Sequence, residues 1–220
     1  METLATSKVQ GIENAGQIIT REYADYLING FKRRFPSEKS VVFISNETIS
    51  KAIEGIKDIT GIRFMYGFES IDKDGIKVLS RTIILVPCAG SLNNNDADSV
   101  VLPQGYITHT GKNVSFEKTK QLMYNHSIKF SKYFPNIEFN SIVRGGFVGI
   151  NTLLSILETE NSVGINFNFG YDDVIQDYQA KNKIVLEAID ASGFWIEVFD
   201  QIPICPPVCG MVNIFDIDNV

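Results

Sequence analysis

Large apolar residues recur at every second position along Ile62-Arg63-Phe64-Met65-Tyr66-Gly67-Phe68, the period of a β-strand with one buried face. Ile62, Phe64, Tyr66 and Phe68 share one face, and Arg63, Met65 and Gly67 share the other. The stretch Gly61–Glu69 returns as Gly164–Asp172 with four identical positions and three more that keep an aromatic or an acid. Ile165, Phe167, Phe169 and Tyr171 again share a face, and Asn166 and Asn168 stand opposite. The match continues on both sides, so the chain reads as two copies of one unit of roughly 75 residues. Gly67 and Gly170 occupy matching places inside strands, where glycine marks a bulge or a close backbone approach, and a bend is expected at each.

Helical spacing flanks both copies. Thr20 is an N-cap candidate for a helix carrying Tyr23, Leu27, Gly30 and Phe31 up to about Arg34, and Pro36 ends it. Val41-Val42-Phe43-Ile44 predicts a short buried strand, and Ser45 or Asn46 caps a helix with the stripe Ile49, Ala52, Ile53 and Ile56. The Gly61 strand follows, then Asp72-Lys73-Asp74-Gly75 as a hairpin turn and a strand around Arg81 to Pro87. In the second unit Phe116, Met123, Phe130 and Phe134 mark a helix that stops at Pro135, and Ile142-Val143 is the weak counterpart of the Val41 strand. Leu153, Leu154, Ile156 and Leu157 make the next helix, and Lys183 to Asp190 is the closing strand. The expected organisation is a loose arm over 1–17, a first unit over 18–90, a linker over 91–114, a second unit over 115–199 and a docking tail over 200–220. The expected fold is mixed α/β, two pseudo-symmetric α-β-α-β-β units with helices packed on the aromatic faces of the sheets. Phe64, Tyr66, Gly67, Phe167, Phe169 and Gly170 are its structural residues.

Composition narrows the picture. A chain of 220 residues buries roughly 70% of its unfolded surface and needs no staples. A net charge of −6 argues against nucleic acid or an anionic membrane as the main partner. Lys32-Arg33-Arg34 falls at a helix C-terminus, where it complements the dipole. No signal-peptide pattern and no run of ~20 apolar residues is present, so a soluble, cytoplasmic protein without membrane insertion is expected. Three cysteines do not make a disulfide framework. Pro206 and Pro207 favour an extended path that keeps Cys205 and Cys209 on the order of 12 Å apart, too far for a bridge.

Candidate chemistry is sparse. His126 lies beside the Phe116-Met123-Phe130 stripe, which favours a packed histidine over a ligand or base, and His109 has no acidic or cysteine companion at motif spacing. Arg144-Gly145-Gly146-Phe147-Val148-Gly149 lacks the lysine and hydroxyl of a P-loop. A strand-to-helix junction is the favoured reading there, with anion binding by backbone N–H groups the sharper alternative. Asn93-Asn94-Asn95-Asp96-Ala97-Asp98 gathers oxygen ligands without the EF-hand order, and turn chemistry explains it. No catalytic residues, metal ligands or cofactor are assigned. Candidate ligand-binding residues are Arg63, Arg144, Gly146, Asn166 and Asn168, on the polar sheet faces and the glycine-rich stretch.

The Gly-Ile-Arg-aromatic-x-Tyr-Gly strand at 61–67, the following turn, the Leu-Val-rich strand and Cys205-Pro206-Pro207-Val208-Cys209 near the C-terminus resemble a group of uncharacterised small bacterial proteins. The resemblance covers about two-thirds of the chain if both copies are counted. This chain departs in holding two copies and in placing Asn166 where the first copy has Arg63. The resemblance implies a shared fold and a bacterial source, and it carries no activity. A non-catalytic binding or assembly module that recognises another protein or itself is the leading expectation. A sensor of a small ligand or anion on the polar sheet faces comes second, and an enzyme with an unrecognised site third.

Overall fold

The structure, a computed structural model, describes residues 12–89, 100–101, 106–139, 142–200 and 204–205. A 3-10 turn (Ile12–Asn14) leads into β1 (Gln17–Ile18), α1 (Arg21–Arg34), β2 (Val41–Ser45), α2 (Asn46–Ile53), β3 (Ile59–Lys73) and β4 (Ile76–Ala89). Then come β5 (Val100–Val101), β6 (Tyr106–Thr108), β7 (Asn113–Val114), α3 (Phe116–Ser131), β8 (Gly145–Gly149), α4 (Ile150–Glu158) and β9 (Ser162–Tyr171). The chain closes with α5 (Tyr178–Lys181), β10 (Asn182–Asp190), β11 (Trp195–Asp200) and β12 (Ile204–Cys205). The class is mixed α+β, as the alternation of periods predicts.

Helix starts follow their caps. Thr20, Ser45 and Ser115 take extended backbone and accept from the N–H groups of Tyr23, Thr48 and Lys118. Residues 12–14 and 17–18 form structure where a loose arm is expected, and 106–108 and 113–114 form strands inside the expected linker.

The strands make two sheets. One has five strands in the order β1-β11-β10-β9-β2, and the other seven, in the order β12-β8-β3-β4-β6-β7 with β5 beside β4. Each aromatic strand pairs with the short strand of the other half: β2 lies on β9 (Val42 opposite Phe167), and β8 lies on β3 (Gly146 opposite Phe64). The register corresponds in detail. Phe169 N–H donates to the Ser40 carbonyl at 2.9 Å, and Tyr66 N–H donates to the Arg144 carbonyl at 2.7 Å. Both long hairpins shift register next to their opening glycine, at Ile59/Gly61 and at Ile189/Asp190, where Asp190 faces Ser162 and Ile189 faces Gly164.

The aromatic faces meet each other. The rings of Phe64 and Phe167 lie 5.4 Å apart, and those of Tyr66 and Phe169 5.0 Å apart, in a core that Ile49 of α2 and Leu153 of α4 help to fill. Helices also reach those faces, as expected, with Phe31 of α1 5.4 Å from Phe169 and His126 of α3 5.3 Å from Tyr66, while other residues of α1 and α3 cover the outer faces. Leu27 and Ile28 of α1 pack with Val185 and Val198, and Leu122 and Met123 of α3 pack with Met65, Ile84 and Val86. Aromatic side chains are large enough to fill a sheet-to-sheet gap of about 10 Å from both sides.

No register shift falls at Gly67 or Gly170, so neither glycine marks a bulge, and the close-approach reading holds. A Cβ on Gly67 would stand 2.9 Å from Cβ of Leu122, and one on Gly170 would stand 3.1 Å from Cβ of Leu27. Each glycine admits a helix onto its sheet. A correction concerns Ile142-Val143, which is buried but is not the strand. The strand is the glycine-rich β8, because a Cβ on Gly145 would meet the Phe64 carbonyl oxygen at 2.3 Å. The junction reading survives at its end, where Gly149 is the N-cap position of α4.

Candidate functional site

The five residues proposed for ligand binding do not converge. Arg63 is 2% exposed on the outer face of β3, between Phe147 and Val86 of the neighbouring strands. Asn166 and Asn168 lie on the outer face of β9, so the two-sheet core stands between them and Arg63. Asn168 is buried and its amide donates to Glu187 Oε2 at 2.8 Å, and Glu187 in turn pairs with Arg21 of α1. The guanidinium of Arg144 faces Ser127 Oγ at 3.3 Å and the Phe139 carbonyl at 3.5 Å. Gly146 is paired on both sides, to Phe64 and to Ile204. The expectation of a wetter second face fails at Arg63 and Asn168, which are 2% and 4% exposed. Asn93–Asp98, Cys209 and most of the C-terminal tail lie outside the described residues.

The densest polar cluster is one that strand periodicity does not reveal. Arg81 of β4 forms an ion pair with Glu38 at 3.1 Å, and the two side chains are 1% and 3% exposed. Phe31, Phe68, Phe130 and Phe169 surround the guanidinium, whose carbon stands 4.1 Å from the centre of the Phe169 ring. Glu38 also accepts from Tyr133 Oη and pairs with Lys129 Nζ, both at 2.9 Å. Burial pushes the Glu38 carboxyl up, yet the bonds from Lys129, Tyr133 and Arg81 outweigh it and hold it below the ordinary carboxylate range. Burial draws Arg81 down while Glu38 opposes the fall. Beside them His126 stacks on Phe130 at 4.5 Å, and its Nε2 lies 2.9 Å from the Val143 carbonyl. Burial, with Arg81 next, lowers the His126 pKa to about 3, so the ring is neutral near pH 7. The cluster is sealed by aromatic rings, and its carboxylate is fully engaged by cations and a phenol. It locks the segment before β2 to β4 and α3, which is the packed-histidine reading of the sequence extended to its neighbours.

The outer edges of β2 and β8 are unlike. The bonds from Phe169 and Tyr66 set the alternation, so Val42 and Ile44 point their backbone groups at β9, and Gly146 and Val148 point theirs at β3. Val41, Phe43 and Ser45 on one strand, and Gly145, Phe147 and Gly149 on the other, point outward. On β8 these are met: Cys205 pairs with Gly145, and Gly149 N–H donates to the Ala15 carbonyl at 3.0 Å. On β2 no strand pairs with the outer edge among the described residues. The aromatic side chains follow suit. Phe147 lies over Gly61 and Phe43 lies over Gly164 in the same register, yet Phe147 is 3% exposed and Phe43 is 45% exposed. Val163, which precedes Gly164, is 40% exposed.

No group of three or more His, Cys, Asp or Glu among the described residues is placed to hold a metal ion, and no helix there is long and apolar enough to cross a membrane. Compared with known proteins, the chain matches no family model, no curated protein and no solved structure.

Proposed function

We propose that this chain is a non-catalytic assembly module, two fused copies of one unit, that associates with a second copy of itself by strand addition at β2. The observation that carries this reading is the contrast between Phe43 and Phe147, which hold the same register but differ in exposure, 45% against 3%. Val41-Val42-Phe43-Ile44-Ser45 contains no charge, proline or glycine, the devices that ordinarily blunt a free edge. Its outward groups belong to Val41, Phe43 and Ser45, so an antiparallel copy centred on Phe43 sets Val41 against Ser45 and Phe43 against Phe43. The outward N–H and carbonyl of Phe43 then face those of the second Phe43, the Ser45 N–H faces the Val41 carbonyl, and the two Phe43 rings meet on the same sheet face. The match of strand order and register between the two sheets supports the fused-copy reading.

Two strands of this length make an interface at the small end of the specific range, so association is read across protein concentrations from about 1 to about 300 μM. Size-exclusion chromatography with light scattering tests it, using the wild type and Phe43→Pro. Proline at 43 removes an outward N–H and leaves the β9 ladder whole, as befits an edge strand. The wild type is expected to pass from monomer to dimer as concentration rises, while Phe43→Pro stays monomeric with an unchanged circular dichroism spectrum. A wild type that is monomeric throughout, or a folded Phe43→Pro that dimerises equally, overturns the reading.

A further inference from the structure

Arg81 and His126 line one small internal chamber, together with Phe31, Tyr66, Phe169 and Tyr178. Arg81 is 4% exposed and His126 1%, and Arg81 Nε, Arg81 Nη1 and His126 Nδ1 are buried atoms with no hydrogen-bond partner among the described residues. Unpaired buried polar atoms are costly, and native proteins satisfy the great majority of them. The chamber measures about 10 Å³, close to the roughly 10–15 Å³ that one water requires on that measure.

The donor inventory decides what fits. Carbonyl oxygen only accepts, so the 2.9 Å contact between His126 Nε2 and the Val143 carbonyl places the imidazole hydrogen on Nε2. In the neutral ring Nδ1 is then a lone pair, an acceptor. The guanidinium contributes Nε–H and Nη1–H, both donors, while its Nη2 is engaged by Glu38. The guest must therefore accept from Arg81 and donate to His126. A halide or carboxylate accepts but has nothing to donate, and it would face the Nδ1 lone pair as well as a cation that Glu38 already neutralises. We infer that the chamber binds one ordered water that accepts from Arg81 Nε–H and Nη1–H and donates to His126 Nδ1, and that it excludes small anions.

The water completes an unbroken hydrogen-bonded chain from Lys129 and Tyr133 through Glu38, Arg81 and His126 to the Val143 carbonyl. That chain joins the segment before β2, strand β4, helix α3 and the segment before β8. It thereby couples the approach to the two short strands that exchange between the halves. The charged and titratable groups that bear on His126 are Arg81, Arg144 and Lys129, with Tyr66 against the ring. None of the three cations supplies the missing donor to Nδ1, since Arg144 and Lys129 are engaged at Ser127 and Glu38.

Crystals of the full chain grown near pH 7 and soaked in sodium bromide test both halves of the inference. One electron-density peak within hydrogen-bonding distance of Arg81 Nε and His126 Nδ1, without bromide anomalous signal, is expected. No peak, or an anomalous bromide peak at that position, overturns it. Imidazole ¹⁵N shifts of the wild type in solution supply a second reading independent of any variant. They are expected to show a protonated Nε2 and an unprotonated Nδ1, and the opposite tautomer would also overturn it.

Discussion

Acidification should destabilise this protein through His126. The ring is 1% exposed, and burial and Arg81 hold its pKa at about 3, against an ordinary 6.5. The folded value lies below the unfolded one, so between them the unfolded chain binds a proton that the native state refuses. Stability therefore rises with pH across that window and falls as the solution is acidified from about pH 6.5 towards 3. The full gap corresponds to about 5 kcal/mol, and going from pH 7.5 to pH 5 forfeits about 2 kcal/mol of it. His109, whose pKa burial also lowers, adds a slope of the same sign, so the comparison needs a variant that changes only His126. His126→Phe serves, because Phe130 and Phe68 already stack on the ring. Urea melts at pH 7.5 and pH 5 are expected to show the wild type losing about 2 kcal/mol more than His126→Phe. Equal losses in the two proteins would refute the assignment of a neutral, buried His126.

Three further outcomes follow from the packing and the ion pair. Phe167→Ala removes a fully buried ring between Phe64 and Phe169 and is expected to cost about 3–5 kcal/mol in urea melts, whereas Asn166→Ala, at the partly exposed outer face, costs far less. Glu38→Gln leaves the caged Arg81 without its carboxylate and is expected to cost about 3–5 kcal/mol. Arg81→Met costs less, about 1–3 kcal/mol, because Glu38 keeps Lys129 and Tyr133, and the reverse order of the two losses would contradict the cluster as described. Gly67→Ala puts a Cβ 2.9 Å from both Leu122 and Thr82 and lowers the melting temperature, while Gly75→Ala, in open space, affects the strand-to-helix fit not at all and costs only its turn strain at positive φ.

Local signals were legible and long-range ones were not. The caps at Thr20 and Ser45, the stop at Pro36 and the two alternating strands are written in neighbouring residues, and with the apolar stripes they placed four helices and the main hairpins. What the aromatic faces pack against is a tertiary choice, because a stripe of Phe and Tyr suits either a helix or another sheet. Strand β8 was hidden because Gly145 and Gly146 carry no β-propensity; they are there for the space that β3 denies a side chain. The Arg81–Glu38 pair joins positions 43 residues apart through an aromatic cage, and only its spatial closure distinguishes Arg81 from any other charged residue in a strand. Arg63 and Asn168 look like exposed polar positions in the strand pattern, yet both are buried, because what packs on the second face of a strand is decided by distant segments.

Whether β2 offers its outer edge to a second copy is decided most directly by amide hydrogen exchange resolved by residue. Val42 and Ile44 donate inward to β9 and are expected to be protected at every protein concentration, whereas Val41 and Phe43 point outward. The Phe43 N–H is expected to exchange freely in dilute protein and to gain protection as concentration rises, in step with the dimer seen by light scattering. A Phe43 amide that exchanges at one rate across the whole concentration range would contradict strand addition at β2.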